Sequence, residues 1–314
     1  MTTAVRTPSV RRSLEGAPRR RRGFGGRKAL TGYLFLAPAM ALIAVFTLVP
    51  FIESIVLSFQ SWDGVSPDTP WVGVRNYQAA FKSAPFWASM KNVLIFGVVG
   101  FVIGNGVSMI MALAVNAIRK GRTFFRTVFY LPSVLSVVVV GMVFSAMLDP
   151  RSGVVNKILG WVGLGFLRHD WLNDPTVAML AVIAVFLWLH WGFGFILFLA
   201  GLQDIPKYLY EAAELDGARG WAKFRYITWP QLAPVTTVVS LLTLLAALQI
   251  FGTVQVLTNG GPGYTTMVPT LQIFTQAFTY NNYGAAAAMS VLFGGALILL
   301  SLLQLGFSRR RANA

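Results

Sequence analysis

The sequence predicts an all-α membrane protein in which six helices cross the bilayer. Of its 314 residues, 55% are hydrophobic and only 12% are charged, whereas a soluble domain carries about a quarter charged residues. The mean hydropathy is +0.63. Because so few charges cannot cover a surface that faces water, most of the outer surface must face lipid. A backbone in lipid has to satisfy its own hydrogen bonds, which favours helices, and the alternating pattern of barrel strands is missing.

Six largely uncharged stretches are long enough to cross the bilayer, which takes about 20 helical residues. We place these helices at 30–52, 92–116, 125–148, 176–201, 234–257 and 285–307. Pro38 and Pro50 predict a kink or an early end in the first helix. Between turn segments at 259–263 and 281–284, residues 267–278 are too short to span and predict a re-entrant or interfacial segment.

The distribution of apolar and basic residues divides the chain into four regions. Residues 1–29 form an arginine-rich tail that is predicted to be disordered, because it holds almost no large apolar residues. Residues 30–90 contain the first transmembrane helix and an external loop, and residues 91–308 contain the other five helices. Residues 309–314 are a second basic tail. The apolar run after residue 29 is too long for a cleavable signal peptide.

The basic residues predict that both termini lie in the cytoplasm. In that orientation the inner segments hold nine Lys and Arg in the N-terminal tail, four after the second helix, four after the fourth and three at the C-terminus. The outer segments hold only six. This distribution follows the excess of basic residues in cytoplasmic loops of membrane proteins.

The formal net charge of +15 could also indicate nucleic-acid binding. However, the basic tail lacks interleaved aromatic residues, and no nucleic-acid-binding pattern surrounds it. We therefore predict no nucleic-acid partner, and expect these residues to rest against anionic lipid headgroups.

The connection between the fourth and fifth helices, residues 201–234, predicts a cytoplasmic helix–turn–helix. Pro206 can open its first helix, Gly217 supplies the turn, and Pro230 is expected to end the second helix. The second helix carries an apolar stripe at helical spacing, made of Trp221, Phe224 and Ile227.

Four acidic residues are concentrated in the same connection: Asp204, Glu211, Glu214 and Asp216. Acidic residues contribute little to membrane topology, so that rule does not explain them. Two interpretations remain open: a surface that docks on another protein, or an amphipathic loop that lies on the membrane.

The order and spacing of Glu211-Ala-Ala, Asp216-Gly217-Ala, Ile227 and Pro230 resemble the EAA loop of ABC importer permeases. Those permeases are the membrane subunits of binding-protein-dependent transport systems. Three further segments resemble the carbohydrate branch of the family, of the maltose and glycerol-3-phosphate type: Phe125-Arg-Thr with Leu131-Pro132, Gly153-Val-Val-Asn156, and Leu257-Thr-Asn-Gly-Gly-Pro262. The similarity covers residues 30–308.

The resemblance implies a type I importer permease in a bacterial plasma membrane. Its partners would be a second permease subunit, two cytoplasmic ATPase subunits and an external sugar-binding protein. ATP and Mg²⁺ would be held by the ATPases, so this chain would need no cofactor of its own. The coupling helix seated in the ATPase would contain Glu211, Ala212, Ala213, Asp216 and Gly217.

Two helices carry side chains suited to a carbohydrate path. Sugars present C–H faces that stack on aromatic rings and hydroxyls that seek polar groups, and polar groups inside a bundle are costly unless they have such a role. The candidates are Trp188, His190, Trp191, Phe193, Thr243, Gln249 and Thr253. Plain helix packing or an interfacial aromatic belt would explain the aromatic residues equally well. Gln249 and Thr253 are four residues apart and are expected to share a helix face.

The second helix contains Gly100 and Gly104 in a GxxxG pattern, which predicts close approach of another helix. Asn105 is expected to bond across helices or to line the path.

Several patterns are missing from the sequence. It has no P-loop motif, no zinc-ligand pattern and no cysteine, so we predict neither ATP binding nor a metal site nor enzyme activity on this chain. The alternatives are a stand-alone secondary carrier or channel, which predicts intramembrane charges or repeated broken helices, and a membrane-embedded transferase, which would need clustered catalytic carboxylates.

Overall fold

The computed structural model describes residues 26–118 and 120–312, and the side chains of 33–118 and 120–302. Residues 1–25 of the predicted basic tail lie outside the described residues. Within the described part the protein is helical, apart from turns and an isolated bridge between Gln60 and Trp71.

The α-helices are, in chain order, α1 (Gly26–Ile43), α2 (Val49–Leu57), α3 (Arg75–Lys82), α4 (Ala84–Val99), α5 (Asn105–Ala117), α6 (Arg122–Tyr130), α7 (Val137–Met147), α8 (Val154–Trp161), α9 (Ala178–Asp204), α10 (Lys207–Leu215), α11 (Trp221–Lys223), α12 (Trp229–Gln231), α13 (Ala233–Leu248), α14 (Gly252–Leu257), α15 (Pro269–Phe274) and α16 (Tyr283–Ala312). Turns of π-helix occupy Ala44–Leu48, Gly100–Gly104, Phe224–Thr228 and Thr275–Thr279. Turns of 3-10 helix occupy Leu131–Val134 and Gly165–Leu167.

The helix ends differ from the predicted ones at both termini. Helix α1 begins at Gly26, inside the predicted disordered tail, and α16 continues into the predicted C-terminal tail as far as Ala312. The chain divides after Ile52 into two compact units. Pro50 does not end the first helix, because the preceding π turn has already shifted the hydrogen-bond ladder: Val49 N–H donates to Ala44 O.

Among the described residues, four helices are long and apolar enough to cross a membrane: Tyr33–Leu57, Ala84–Ala117, Ala178–Asp204 and Tyr283–Leu302. Two further pairs of helical segments are long and apolar enough only when each pair is taken together. Both pairs are bent: 122–134 with 137–147 by 96°, and 221–231 with 233–248 by 68°. The predicted six crossings therefore hold if each bent pair makes one crossing.

The prediction of a single helix over 125–148 was wrong. Pro132 cannot donate a backbone hydrogen bond, and the chain tightens into 3-10 geometry around it. Leu135 and Ser136 are then extended before α7 begins. The Ser133 hydroxyl donates to Leu189 O at 2.8 Å, which fixes the break against α9.

The prediction of a continuous fifth helix over 234–257 was also wrong. Helix α13 ends at Leu248, Phe251 adopts a non-helical conformation, and α14 starts at Gly252. Small residues let α14 lie close to α7: a Cβ on Gly252 would be 3.0 Å from Val137, and one on Gly141 would be 2.6 Å from Val256. Gln249 and Thr253 therefore do not occupy one continuous helix face.

Helix α9 contributes to both large clusters of buried side chains. The first core cluster joins α4, α7, α9, α14 and α15 and contains Phe96, Val140, Phe186, Val254 and Leu271. The second core cluster joins α5, α9 and α13 and contains Ala112, Phe195, Phe198, Leu232 and Val239. A helix that is apolar on all sides, as α9 is, is expected in such a central position.

Gly100 and Gly104 allow the predicted close approach. A Cβ on Gly100 would be 3.4 Å from the Phe186 ring and 3.5 Å from Thr243, and one on Gly104 would be 3.3 Å from Leu187. Asn105 bonds across helices as expected: its Nδ2 donates to Ser240 Oγ at 3.2 Å, and its Oδ1 accepts from the Thr243 hydroxyl at 2.8 Å.

Residues 267–278 form no candidate crossing in the described part of the chain. They contain α15 and part of a π turn. The segment is held to α4, since Asn92 Nδ2 donates to Tyr264 O at 3.0 Å and to Met267 O at 2.9 Å. The expectation of a short, non-spanning segment is therefore met.

We expect Gly192→Ala to lower the free energy of unfolding by about 1–3 kcal/mol, because a Cβ there would lie 2.6 Å from Phe129 O and 3.0 Å from Tyr130 Cα. The matched control is Gly106→Ala in α5, whose added Cβ would meet nothing within 4 Å. Thermal unfolding in detergent should show a lower midpoint for the first variant only. Equal midpoints would contradict this account of how α6 packs on α9.

Candidate functional site

The connection between α9 and α13 folds into a helical hairpin, residues 206–231, which we call the coupling hairpin. Pro206 precedes α10 with φ of −61° and ψ of 132°. Helix α10 ends in a Schellman motif: Gly217 has φ of +80°, its N–H donates to Glu214 O at 3.1 Å, and Ala218 N–H donates to Ala213 O at 2.8 Å. The left-handed backbone explains why glycine occupies position 217.

The inner side of the coupling hairpin packs against the second core cluster. The side chains that do so are Leu209, Tyr210, Phe224 and Ile227. The two arms are also joined to each other, because the hydroxyls of Tyr210 and Thr228 lie 2.9 Å apart. Lys223 donates to Glu214 across the turn. The hairpin is thus a fixed projection of the core and not a free loop.

The outer side of the coupling hairpin combines acidic and apolar groups. Glu211, Ala212, Asp216 and Gly217 are exposed, whereas Ala213 is half-buried. Leu215 is 90% exposed and Trp221 is 73% exposed, and Tyr208 is also exposed. Large exposed apolar side chains beside carboxylates are typical of a surface that contacts another protein or a membrane.

The predicted apolar stripe of the second arm is divided between two environments. Phe224 and Ile227 pack against the second core cluster, while Trp221 is exposed. The Trp221 ring contacts Phe224 at a centroid distance of 5.2 Å. The second helix ends at Gln231, one residue after Pro230, and the chain bends by 68° before α13, so Pro230 marks this helix end as predicted.

A second candidate site is a cleft of about 500 Å³ beside α9. Its walls come from the break after α6, from α9, and from α13 with the break that follows it. The lining residues are Ser133, Leu135, Val137, Leu189, His190, Phe193, Gly194, Leu242, Thr243, Ala246, Gln249, Ile250, Phe251, Gly252 and Thr253. When His190 is counted as neutral, none of these lining residues carries a formal charge.

Five of the seven predicted path residues line this cleft: His190, Phe193, Thr243, Gln249 and Thr253. The cleft brings Gln249 and Thr253 together through the helix break and not through the predicted helix face. Phe193 and Gln249 are exposed, and Thr253 is buried.

Two polar side chains of the cleft, His190 and Thr243, already make hydrogen bonds within the protein and keep capacity for another. His190 Nδ1 lies 2.8 Å from Phe186 O. Because a carbonyl oxygen only accepts, Nδ1 must carry the proton, which leaves Nε2 for a second partner. The Thr243 hydroxyl donates to Asn105 and can still accept a hydrogen bond.

Trp188 and Trp191 lie outside the lining. Trp188 packs against Phe144 at a centroid distance of 5.3 Å, beside the first core cluster. Trp191 is half-buried, and its Nε1 has no hydrogen-bond partner among the described residues. For Trp188 the structure shows helix packing, the alternative that the sequence had left open.

Sequence reasoning missed the contribution of Ser133 and Leu135, because it treated 125–148 as a continuous helix. Leu131-Pro132 was the signal that could have indicated a break there. Among the described residues no cluster of three His, Cys, Asp or Glu could hold a metal ion.

Comparison with known proteins identifies the family. Residues 104–313 match the family described as "Binding-protein-dependent transport system inner membrane component". A probable ABC transporter permease protein of Bacillus subtilis, YurN, is 35% identical over 88% of this chain and 94% of its own length. The lactose transport system permease protein LacF of Rhizobium radiobacter is 33% identical over 90% of this chain and 95% of its own length.

The fold is also that of a solved transporter. A bacterial ABC transporter involved in the import of the acidic polysaccharide alginate contains a chain with a TM-score of 0.79 and 28% identity. The match covers 91% of this chain and 96% of that one. The alginate transporter in complex with an alginate pentasaccharide-bound periplasmic protein gives a TM-score of 0.80 and 26% identity.

We expect Tyr210→Phe to loosen the coupling hairpin by about 0.5–1.5 kcal/mol, because it removes the hydroxyl contact with Thr228. The matched control is Tyr208→Phe, on the exposed side of the same helix. Hydrogen exchange of the backbone amides of 207–231 should quicken in the first variant and stay unchanged in the second. Equal exchange in both would show that this contact does not hold the two arms together.

Proposed function

Because the chain belongs to the family of binding-protein-dependent inner membrane components, the permeases of ABC importers, we propose that it forms one half of a heterodimeric pore for a sugar or oligosaccharide. A second permease subunit supplies the other half. Two ATPase subunits bind ATP and Mg²⁺ and dock on the permeases in the cytoplasm. An external binding protein delivers the sugar.

The coupling hairpin carries this proposal. Its motif residues Glu211, Ala212 and Asp216 are exposed on one side, and its other side packs on the second core cluster. Helix α9 contributes to that cluster, lines the cleft with His190 and Phe193, and ends at Asp204, directly before the hairpin. A displacement of the hairpin would therefore be transmitted to the cleft through packed side chains.

The composition of the cleft supports a sugar as the substrate. Phe193 and Phe251 offer aromatic faces, while Gln249, Thr253 and His190 offer hydrogen-bonding groups. The relatives include permeases for lactose and for starch degradation products. The solved complex of the alginate transporter with a saccharide-bound periplasmic protein supports delivery by an external binding protein.

The distribution of basic residues supports an orientation with the coupling hairpin and both termini in the cytoplasm. Lys207, Arg219, Lys223 and Arg225 lie on the hairpin itself.

The bent helix pairs are the one observation that favours a secondary carrier. Broken helices are expected in such carriers, and the sequence had not clearly indicated them. In the described residues, however, the break after α13 exposes Gln249 to the cleft and no charged group lines it. The family match and the coupling hairpin favour the importer.

We expect Gly217→Asp to leave membrane insertion intact and to reduce recovery of the ATPase in affinity purification by roughly tenfold or more, because the new side chain would stand on the docking face. The matched control is Gly73→Asp. Both glycines have positive φ, of +80° and +58°, and an added Cβ would meet nothing within 4 Å at either position.

Normal ATPase recovery with Gly217→Asp would refute the assignment of the coupling hairpin. Loss of the ATPase with both variants would assign the effect to general destabilisation.

We expect Gln249→Ala to lower sugar uptake by about tenfold at sugar concentrations below saturation, since removing one amide costs about 1–2 kcal/mol of binding. The control is Gln255→Ala, a half-buried glutamine on α14 that does not line the cleft. Uptake of the radiolabelled sugar that the system's own binding protein retains would be measured, together with ATPase recovery. Equal uptake by the two variants would remove the cleft from the sugar path.

A further inference from the structure

Helix α8 carries an exposed apolar face that the proposed function does not use. Val154, Ile158, Trp161 and Val162 follow the spacing i, i+4, i+7 and i+8, which places them on one side of the helix and its end. All four are exposed, and Trp161 is 88% exposed. The 3-10 turn that follows adds Phe166, which is 76% exposed.

The chain turns sharply at the end of α7 and places α8 there. Arg151 N–H and Ser152 N–H donate to Asp149 Oδ1 at 3.0 and 2.6 Å, and Gly153 N–H donates to Asp149 O at 3.0 Å. The bond from Ser152 N–H is the main reason that the pKa of Asp149 lies below its usual range. A Cβ on Gly153 would be 2.3 Å from Asp149 O and 2.5 Å from Met147 O, so this turn requires glycine.

The other side of α8 is tied to the entry of α9. Asn156 is buried, its Nδ2 donates to His169 O at 2.9 Å, and its Oδ1 accepts from Trp171 Nε1 at 2.8 Å. Gly153 and Asn156 thus both hold α8 in place between the end of α7 and the start of α9. Its exposed face is therefore fixed at the end of two segments that are apolar enough for the membrane.

Two basic side chains lie at α8 itself. Lys157 is the one charged residue of α8, and the guanidinium of Arg168 lies over Gly160. The nearby Asp170 and Asp174 bond to Asn173 and Thr176 in their own turns. An apolar face with a tryptophan, bordered by basic groups, has the chemistry of the zone between headgroups and acyl chains.

We propose that α8 and the 3-10 turn after it form an interfacial lipid anchor, with Trp161 and Phe166 at the acyl boundary and Lys157 and Arg168 among the phosphates. This anchor would hold the connection between α7 and α9 at a fixed depth. The proposal uses only the membrane location of the protein, so it does not depend on the sugar, the ATPase or the direction of transport.

Spin labels can measure this depth, because the chain has no cysteine of its own. Trp161→Cys and Phe166→Cys are labelled in the purified complex, reconstituted in vesicles of phosphatidylethanolamine and phosphatidylglycerol. Val65→Cys is the matched control, since Val65 is 89% exposed, as exposed as Trp161, but lies in the turn formed by Asp63. The unsubstituted complex gives the background from the other subunits.

We expect the labels at 161 and 166 to collide with dissolved oxygen several-fold more often than with a water-soluble nickel chelate. This preference corresponds to a depth of about 5–10 Å in the boundary between headgroups and acyl chains. The label at 65 should show the opposite preference. Two outcomes would overturn the proposal: labels at 161 and 166 that are as open to the nickel chelate as the control, or labels that both reagents fail to reach, which would indicate a protein partner on this face.

Discussion

Helix α9 packs closely against its neighbours and contributes side chains to both core clusters and to the cleft. Three glycines make this packing possible. A Cβ on Gly192 would lie 2.6 Å from Phe129 O, one on Gly194 would lie 2.9 Å from Ser108 Oγ, and one on Gly201 would lie 2.7 Å from Val235. Lipid provides no hydrophobic drive between helices, so such close contacts and hydrogen bonds have to hold them together.

This packing connects the parts that the proposed function requires. Along α9, His190 and Phe193 line the cleft, Phe195 and Phe198 fill the second core cluster, and Asp204 leads into the coupling hairpin. Because packed cores have discrete arrangements and do not deform smoothly, a hairpin anchored in this core can transmit a displacement that a free loop would absorb. The same helix would therefore carry both the substrate contact and the mechanical link.

The sequence predicted those features that follow from hydropathy and local backbone chemistry. The apolar stretches located the crossings, and Gly217 located a turn because only a left-handed residue fits a Schellman motif at that position. The sequence did not predict the break at Gln249–Phe251, because that break depends on tertiary contacts such as Gly252 against Val137. The break at Leu135–Ser136 had a local signal in Pro132. The sequence likewise left open whether Trp188 lines the path or packs between helices, because its partner Phe144 lies on another helix.

Photo-crosslinking from position 212 would show what the coupling hairpin contacts, because Ala212 is exposed on its outer side. A photoreactive amino acid would replace Ala212 in the complex within native membranes, and the adduct would be identified by mass spectrometry. We expect an adduct with an ATPase subunit. An adduct with lipid would contradict it, because the hairpin would then be an amphipathic loop on the membrane surface.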